Sequence, residues 1–169
     1  MRLFEKLFAK RRQDRASAPL GPSSPRGAPL PLEPEFIPGN ELEEQLLGVV
    51  EGRTELRALI ASLLLAKVFV LFEAGAETPG PAPPLRPLVL PNSKGSFGLC
   101  LFTSPERALP ALRAMPEFSC SPPVAFRSVL ESAPGGVGLI INPGWKATLE
   151  NPPQGLEEMR NELLGEERG

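Results

Sequence analysis

Proline sets the limits on which parts of this chain can fold. Of the 22 prolines among 169 residues, seven fall between residues 16 and 39, where Ala, Ser and Gly fill many of the gaps. A segment of this composition cannot build a core, so 16–39 is predicted to be a linker. Five further prolines between residues 78 and 87 predict a long loop. The folded part is therefore expected over 40–164, as a single domain behind a disordered Pro-rich N-terminal tail.

The first 15 residues combine an apolar stripe with basic side chains. Their large apolar residues recur at the spacing of one helical face, which predicts a short basic amphipathic helix over 1–15. Such a helix can dock on a partner protein or make peripheral contact with a membrane. A disordered tail is the alternative, because isolated helices of this length are weak. The residues expected to make the contact are Leu3, Phe4, Leu7, Phe8, Arg11 and Arg12.

Missing residue types exclude most familiar catalytic and metal sites. The chain has no His, no Tyr, two Cys and a single Asp, Asp14. Without imidazole there is no Ser-His or Cys-His pair and no HExxH zinc site. Two cysteines cannot supply a four-ligand structural zinc site, and the lone Asp cannot supply an EF-hand loop. We therefore expect no metal and no cofactor, and the composition leans against an enzyme.

Charge is divided unevenly along the chain. Residues 1–30 hold 7 Lys or Arg and 2 Asp or Glu, whereas the remainder holds 11 and 18, so the tail is basic and the body acidic. An acidic body argues against nucleic acid as a partner, because phosphate binding needs clustered Lys and Arg. The N-terminus has no secretory signal, and the apolar run over 56–76 is broken by charges and too short to span a bilayer. The expected location is the cytoplasm.

Periodicity and turn signals predict alternating helices and short strands. Asn40 and Glu43 have the spacing of a helix capping box, and Thr103 or Ser104 precedes another helix start. The run 137–141 is almost wholly apolar, as in a strand buried on both faces. We predict an α/β (α+β) domain in which helices flank a small mixed sheet of roughly four to five strands. Expected helices are 40–52, 53–66, 103–115, 121–131 and 156–164, and expected strands are 68–72, 88–90, 97–102, 137–141 and 147–149.

Four segments together resemble the N-terminal domain of SseB, the enhanced serine sensitivity family of bacteria. They are Asn40-Glu41-Leu42-Glu43, Leu88-Val89-Leu90-Pro91, Phe102-Thr103-Ser104-Pro105-Glu106-Arg107 and Gly138-Leu139-Ile140-Ile141-Asn142-Pro143-Gly144. The resemblance covers about residues 40–164. It implies a small cytoplasmic α/β domain of poorly defined biochemical role, and it supplies no catalytic residue to carry over.

Polar and turn-forming residues follow two of the predicted strands. If those strands are parallel neighbours, the two following loops meet at one edge of the sheet, where open α/β sheets bind ligands. The helix start after Ser104, with Arg107 nearby, would favour an anion or carboxylate, and Trp145 would anchor a partner. The alternative is purely structural, with a turn, a helix cap and a Trp covering the core. The candidate residues are Thr103, Ser104, Arg107, Asn142, Pro143, Gly144 and Trp145.

Two functions from different classes are compatible with these observations. The first is a non-enzymatic protein or peptide interaction module that binds an unidentified partner protein at this edge. The second is a sensor or enzyme for a small molecule, with serine suggested by the family name, that uses Glu106 or Glu150 as acid or base. A deep pocket lined by one of these carboxylates would favour the second. The sequence does not address the oligomeric state.

Overall fold

The computed structural model of the protein describes residues 30–33, 35–73 and 86–165. The amphipathic segment predicted over 1–15 and the first part of the predicted linker, 16–29, lie outside these residues. Within them are five helices and seven strands. The helices are α1 (Glu41–Val50), α2 (Leu56–Leu65), α3 (Pro105–Ala114), α4 (Phe126–Ser132) and α5 (Pro153–Gly165). The strands are β1 (Lys67–Glu73), β2 (Val89–Pro91), β3 (Phe97–Phe102), β4 (Phe118–Cys120), β5 (Val124–Ala125), β6 (Gly138–Ile141) and β7 (Leu149–Asn151).

The strands form one mixed sheet with a single parallel pair at its centre. Its main path runs β4-β1-β3-β6-β7, and the two remaining strands, β2 and β5, pair with β3 and β1. Strands β3 and β6 are parallel, with Leu99 opposite Leu139 and Leu101 opposite Ile141, whereas every other strand pairing is antiparallel. The predicted mixed α+β fold is confirmed.

Helices cover both faces of this sheet, which explains the apolar runs in its central strands. Leu99 and Leu101 face a core shared with α1, α2, α4 and α5. Cys100 and Phe102, which alternate with them, face a second core built with α3. All four residues of β6 are buried, as expected for a strand covered on both sides.

The structure differs from the sequence prediction on the outer side of β1. The segment 121–131 was expected to be helical, but α4 begins only at Phe126. The short strands β4 and β5 precede it and pair along the free edge of β1. Strands of two or three residues carry too little alternation to be distinguished from a loop, and their pairing with β1 is set by tertiary contact.

The packed chain also extends upstream of Asn40, where a linker was expected. Phe36 is only 7% exposed and belongs to the larger core. The described part of 30–39 runs in extended form beside the loop that follows β6, and Glu33 forms a parallel bridge with Trp145. We call residues 30–39 the strap. Its proline content fits an extended segment because proline favours extended backbone.

Candidate functional site

The parallel pairing of β3 and β6 brings together the two loops that follow these strands. Thr103 directly follows β3, and Asn142 directly follows β6. The backbone N–H of Thr103 donates to Oδ1 of Asn142 at 3.0 Å, and Nδ2 of Asn142 donates to Oγ1 of Thr103 at 2.9 Å. Both residues are buried, so this hydrogen-bonded pair closes the carboxyl end of the central strands. We call this region, with Ser104, Arg107 and the loop 142–145, the carboxyl-edge site.

Asn142 holds its position through an unusual backbone conformation. Its φ is 51°, the only positive value among the non-glycine residues that the structure describes. Asn tolerates the left-handed region better than most residues because its short amide can bond locally. Its N–H continues the ladder to the carbonyl of Leu101 at 2.8 Å, and its side chain then turns onto Thr103. The Asn-Pro-Gly sequence is therefore a turn whose first side chain joins the two strand ends.

A buried ion pair lies directly beneath this turn. Nε of Arg107 donates to Oε1 of Glu43 at 3.0 Å, and Nη2 donates to Oε2 at 2.7 Å. The side chains are 10% and 1% exposed, so the pair is nearly removed from water. The planar guanidinium matches both carboxylate oxygens at once, which is the strongest geometry that such a pair can adopt.

Glu43 receives two further hydrogen bonds, which fully engage its carboxylate. Oγ1 of Thr103 donates to it at 2.6 Å, and the N–H of Gly39 donates at 2.8 Å. Burial alone would raise the pKa of Glu43, but the hydrogen bonds from Arg107, Thr103 and Gly39 and the adjacent positive charge hold this pKa below its ordinary value. Glu43 is therefore an ionised centre that connects α1, the strap, β3 and α3.

Sequence reasoning did not identify Glu43 as part of the site. Its spacing from Asn40 indicated a capping box, and one half of that motif is present, since Oδ1 of Asn40 accepts from the N–H of Glu43 at 2.9 Å. The glutamate carboxylate instead reaches Gly39, Thr103 and Arg107. A role in helix capping was a sufficient local explanation for Glu43. Nothing in the sequence therefore indicated that its partner is Arg107, 64 positions away.

The strap lies across the carboxyl-edge site and contacts it through backbone and one aromatic ring. The N–H of Glu33 donates to the carbonyl of Gly144 at 2.9 Å, and Nη2 of Arg107 donates to the carbonyl of Ile37 at 2.5 Å. Between these contacts the ring of Phe36 meets the guanidinium of Arg107, whose central carbon is 4.0 Å from the ring centroid. The strap therefore covers the edge that sequence reasoning expected to be open.

Trp145 completes the aromatic surroundings of Arg107. Its ring centroid lies 4.5 Å from the guanidinium carbon, and its plane is inclined at 75° to the ring of Phe36 at a centroid distance of 6.0 Å. Its Nε1 donates to the backbone carbonyl of Arg107 at 2.8 Å. A guanidinium between two aromatic rings gains cation–π attraction in addition to its ion pair. Trp145 is half-buried, so it both packs against the core and presents part of its surface.

Gly144 allows the strap to approach this loop closely. Its φ is +86°, in the left-handed region, and a Cβ atom there would lie 3.3 Å from Cβ of Leu30. A side chain at this position would be strained by the backbone and crowded by the strap. Pro143 beside it is buried. The glycine is therefore required for both the turn and the strap.

The remaining predicted features are present but arranged differently from an open anion site. Ser104 is the N-cap residue of α3, although its side chain makes no capping hydrogen bond. The guanidinium of Arg107 is engaged by Glu43 and Ile37 and does not face a free anion pocket. The residues proposed for N-terminal docking, Leu3 to Arg12, lie outside the described ranges.

The carboxylates proposed for acid–base chemistry lie on the surface. Glu106 is exposed in the first turn of α3. Glu150 is exposed on β7 and accepts from the N–H and Oγ of Ser93 at 3.1 and 2.5 Å. An open depression elsewhere on the molecule is lined by Arg57, Asn161, Glu162 and Gly165, and so includes neither carboxylate.

Neither a metal-binding cluster nor a membrane-spanning helix is present in the described ranges. Residues 30–33, 35–73 and 86–165 hold no group of three or more Cys, Asp or Glu side chains arranged to bind a metal ion. None of the helices in the same ranges is long and apolar enough to cross a bilayer.

Comparison with known proteins identifies the domain itself. No curated protein and no solved structure matches the chain. The family model described as "SseB protein N-terminal domain" matches residues 42–158, which is more than half of the chain. The matched region begins in α1 and ends in α5, and so contains both strands and both loops of the carboxyl-edge site. The chain therefore belongs to the SseB N-terminal domain family.

Proposed function

We propose that this SseB domain is a non-enzymatic interaction module that binds a protein or peptide at the carboxyl-edge site. In this proposal the module works in the bacterial cytoplasm, as the family resemblance implies, and its partner is another protein. The structure of the site supports recognition more than catalysis, because its titratable groups are paired with each other. A carboxylate and a guanidinium that are paired with each other hold the site in one conformation. A catalytic group, in contrast, must be free to exchange a proton with a substrate.

The observation that carries the proposal is the way the strap occupies the site. An extended segment crosses it with two backbone hydrogen bonds and one inserted aromatic ring, from Phe36. Domains that recognise extended peptides use this combination, in which main-chain bonds supply affinity and a side-chain pocket supplies specificity. Aromatic and Arg residues of the kind found here, Trp145 and Arg107, are also the residue types that dominate binding energy at interfaces.

We propose that the basic segment 1–15 makes a second contact with the same partner. Its apolar stripe and positive charge support this role at the level of sequence, and it is joined to the strap by residues 16–29. Deletion of residues 1–15 is expected to weaken partner binding without removing it. If the deletion instead abolishes sedimentation with anionic vesicles and leaves partner binding unchanged, the segment is a peripheral membrane contact.

The rival function, a small-molecule sensor or enzyme, has no comparable support. It requires a deep pocket with Glu106 or Glu150 in its wall, and both side chains are exposed. An anion at the start of α3 would also need Arg107 to exchange Glu43 for the ligand, which would leave a buried carboxylate without its counter-ion. Thermal stabilisation of the chain by serine, at a concentration where other amino acids have no effect, would favour this rival.

The proposal is tested by a photo-crosslinking amino acid placed at Lys146 in the full chain. Lys146 is exposed beside Trp145, and the matched control is Lys94, an exposed lysine in the β2–β3 turn at the opposite end of the sheet. We expect one protein to be crosslinked from Lys146 and not from Lys94, and the same protein, once purified, to bind the unmodified chain. Identical crosslinking patterns from the two positions would contradict the proposal.

A further inference from the structure

The strap makes contacts that a segment of another protein could make in its place. Among the described residues of 33–37, three groups tie it to the carboxyl-edge site: the N–H of Glu33, the ring of Phe36 and the carbonyl of Ile37. The side chains of Leu32 and Ile37, beside these groups, face solvent and are 74% and 67% exposed. Two of the three contacts are made by backbone, which every peptide carries, so only the aromatic ring is specific to this sequence.

The bonds that hold the site together are made mainly outside the strap, and the strap adds to them the N–H of Gly39, which donates to Glu43. Glu43 and Arg107 hold each other through two hydrogen bonds, and Thr103 joins them to Asn142. Trp145 is fixed by its own bond to the carbonyl of Arg107. With residues 33–37 displaced and Gly39 still bonded to Glu43, the guanidinium and the Trp ring would therefore remain in place. They leave a preformed slot for an aromatic side chain, which lowers the cost of binding.

We propose that the strap is an internal substitute for a partner's segment, and that an extended peptide with one aromatic residue displaces residues 33–37 from the carboxyl-edge site. This inference rests on the proposed function, since it specifies the partner's chemistry at the same site. The strap defines the pattern. A backbone N–H three residues before the aromatic residue donates to the carbonyl of Gly144, and the carbonyl one residue after the aromatic residue accepts from Arg107. The strap carries Glu33 and Glu35 before its aromatic residue, and Lys146 is exposed beside Trp145, so an acidic partner segment fits this site.

Attachment of the strap to the domain makes the site self-inhibited. A tethered segment competes at an effective concentration that reaches the millimolar range for short linkers. A free peptide with the same contacts must therefore reach a comparable concentration before it displaces the strap. A partner that adds contacts outside the slot, or that also binds residues 1–15, would overcome this competition at lower concentration.

A fluorescent synthetic peptide with the sequence of residues 30–39 tests the proposal by polarisation against the full chain. We expect it to bind the Phe36→Ala chain at least about tenfold more tightly than the wild-type chain, whose own strap competes. A peptide with Phe36→Ala should bind that variant at least about tenfold more weakly, because the ring supplies most of the buried contact. A peptide with Ile37→Ala is the matched control and should bind normally, since that side chain is exposed.

A second variant keeps the test decisive if Phe36→Ala fails to melt cooperatively. Glu33→Pro removes the N–H that donates to Gly144 and leaves the core untouched, so it should also admit the peptide. Absence of binding to a folded variant, or equal binding to variant and wild type, would overturn the inference. The inference would also be overturned if the wild-type chain forms a concentration-dependent dimer that Phe36→Ala abolishes. In that case the segment bound at the carboxyl-edge site would come from a second copy of the chain. Crosslinking from Lys146 needs no peptide, so it tests the proposed function separately.

Discussion

Replacement of Arg107 by Met should strongly destabilise the chain, because it leaves Glu43 buried without its counter-ion. Met fills a similar volume but removes both hydrogen bonds to the carboxylate and the one to the carbonyl of Ile37. Removal of one partner of a buried pair costs about 3–5 kcal/mol. The carboxylate is 1% exposed and cannot recover this energy from water, so we expect a loss in the upper part of that range.

A double-mutant cycle separates the ion pair from the lost packing. In the Glu43→Met, Arg107→Met double variant no unpaired charge remains, so it should be more stable than Arg107→Met by about 2 kcal/mol or more. Urea unfolding at pH 7 measures all four free energies. A loss below about 1 kcal/mol for Arg107→Met, or costs that simply add in the double variant, would refute the reasoning.

Acidification supplies an independent check with a defined sign. The pKa of Glu43 is held below its ordinary value of 4.5, so in the wild type this group contributes stability above pH 4.5 that is lost as pH falls through the lower, folded pKa. In Arg107→Met the buried carboxylate of Glu43 has lost the guanidinium that favours its ionised form. Protonation of this carboxylate therefore removes an unpaired buried charge. The stability difference between the two chains should therefore shrink below pH 4.5, and a constant difference would show that the pair does not titrate as described.

Other substitutions test the neighbouring parts of the site. Gly144→Ala should cost about 1–3 kcal/mol in urea unfolding because of its positive φ, whereas Gly135→Ala, which has open space around it, should be close to neutral. Asn142→Ala should cost about 2–4 kcal/mol, because a buried N–H loses its acceptor and the left-handed backbone loses a tolerant residue. Burial raises the pKa of both thiols, but Cys100 is fully buried and Cys120 only half-buried. Ellman's reagent should therefore titrate Cys120 first in the folded chain and Cys100 only on unfolding, and equal rates would contradict the packing described here.

The strand pattern placed Thr103 and Asn142 in the same region on the condition that the strands before them are parallel neighbours, and the pairing of β3 with β6 meets that condition. The run 137–141 indicated a strand covered on both faces and 97–102 indicated another strand, and adjacent parallel strands necessarily end side by side. The side-chain partners were not predictable in the same way. Arg107 has a plausible role near a helix start and Glu43 has one in a capping box, so neither local pattern indicated that the two form an ion pair.

Composition misled the prediction most clearly at the strap. Seven prolines between residues 16 and 39 indicated a segment that builds no core. This overall composition gave no sign that one residue within it, Phe36, is buried. A single aromatic residue can fix an extended segment when a preformed slot exists elsewhere in the fold, and such a slot depends on tertiary contacts between α3 and the loop after β6. The short strands β4 and β5 were missed for the same reason, since their pairing with β1 is visible only in the folded chain.

The most direct test of the account is the accessibility of Trp145, the only Trp in the chain. Its ring lies against Phe36 and the guanidinium of Arg107, so its fluorescence reports whether the strap is seated. We predict that Phe36→Ala shifts the emission to longer wavelength and increases acrylamide quenching, that Ile37→Ala does neither, and that the peptide of residues 30–39 reverses the change. Unchanged emission and quenching in a folded Phe36→Ala chain would contradict the claim that the strap closes the carboxyl-edge site.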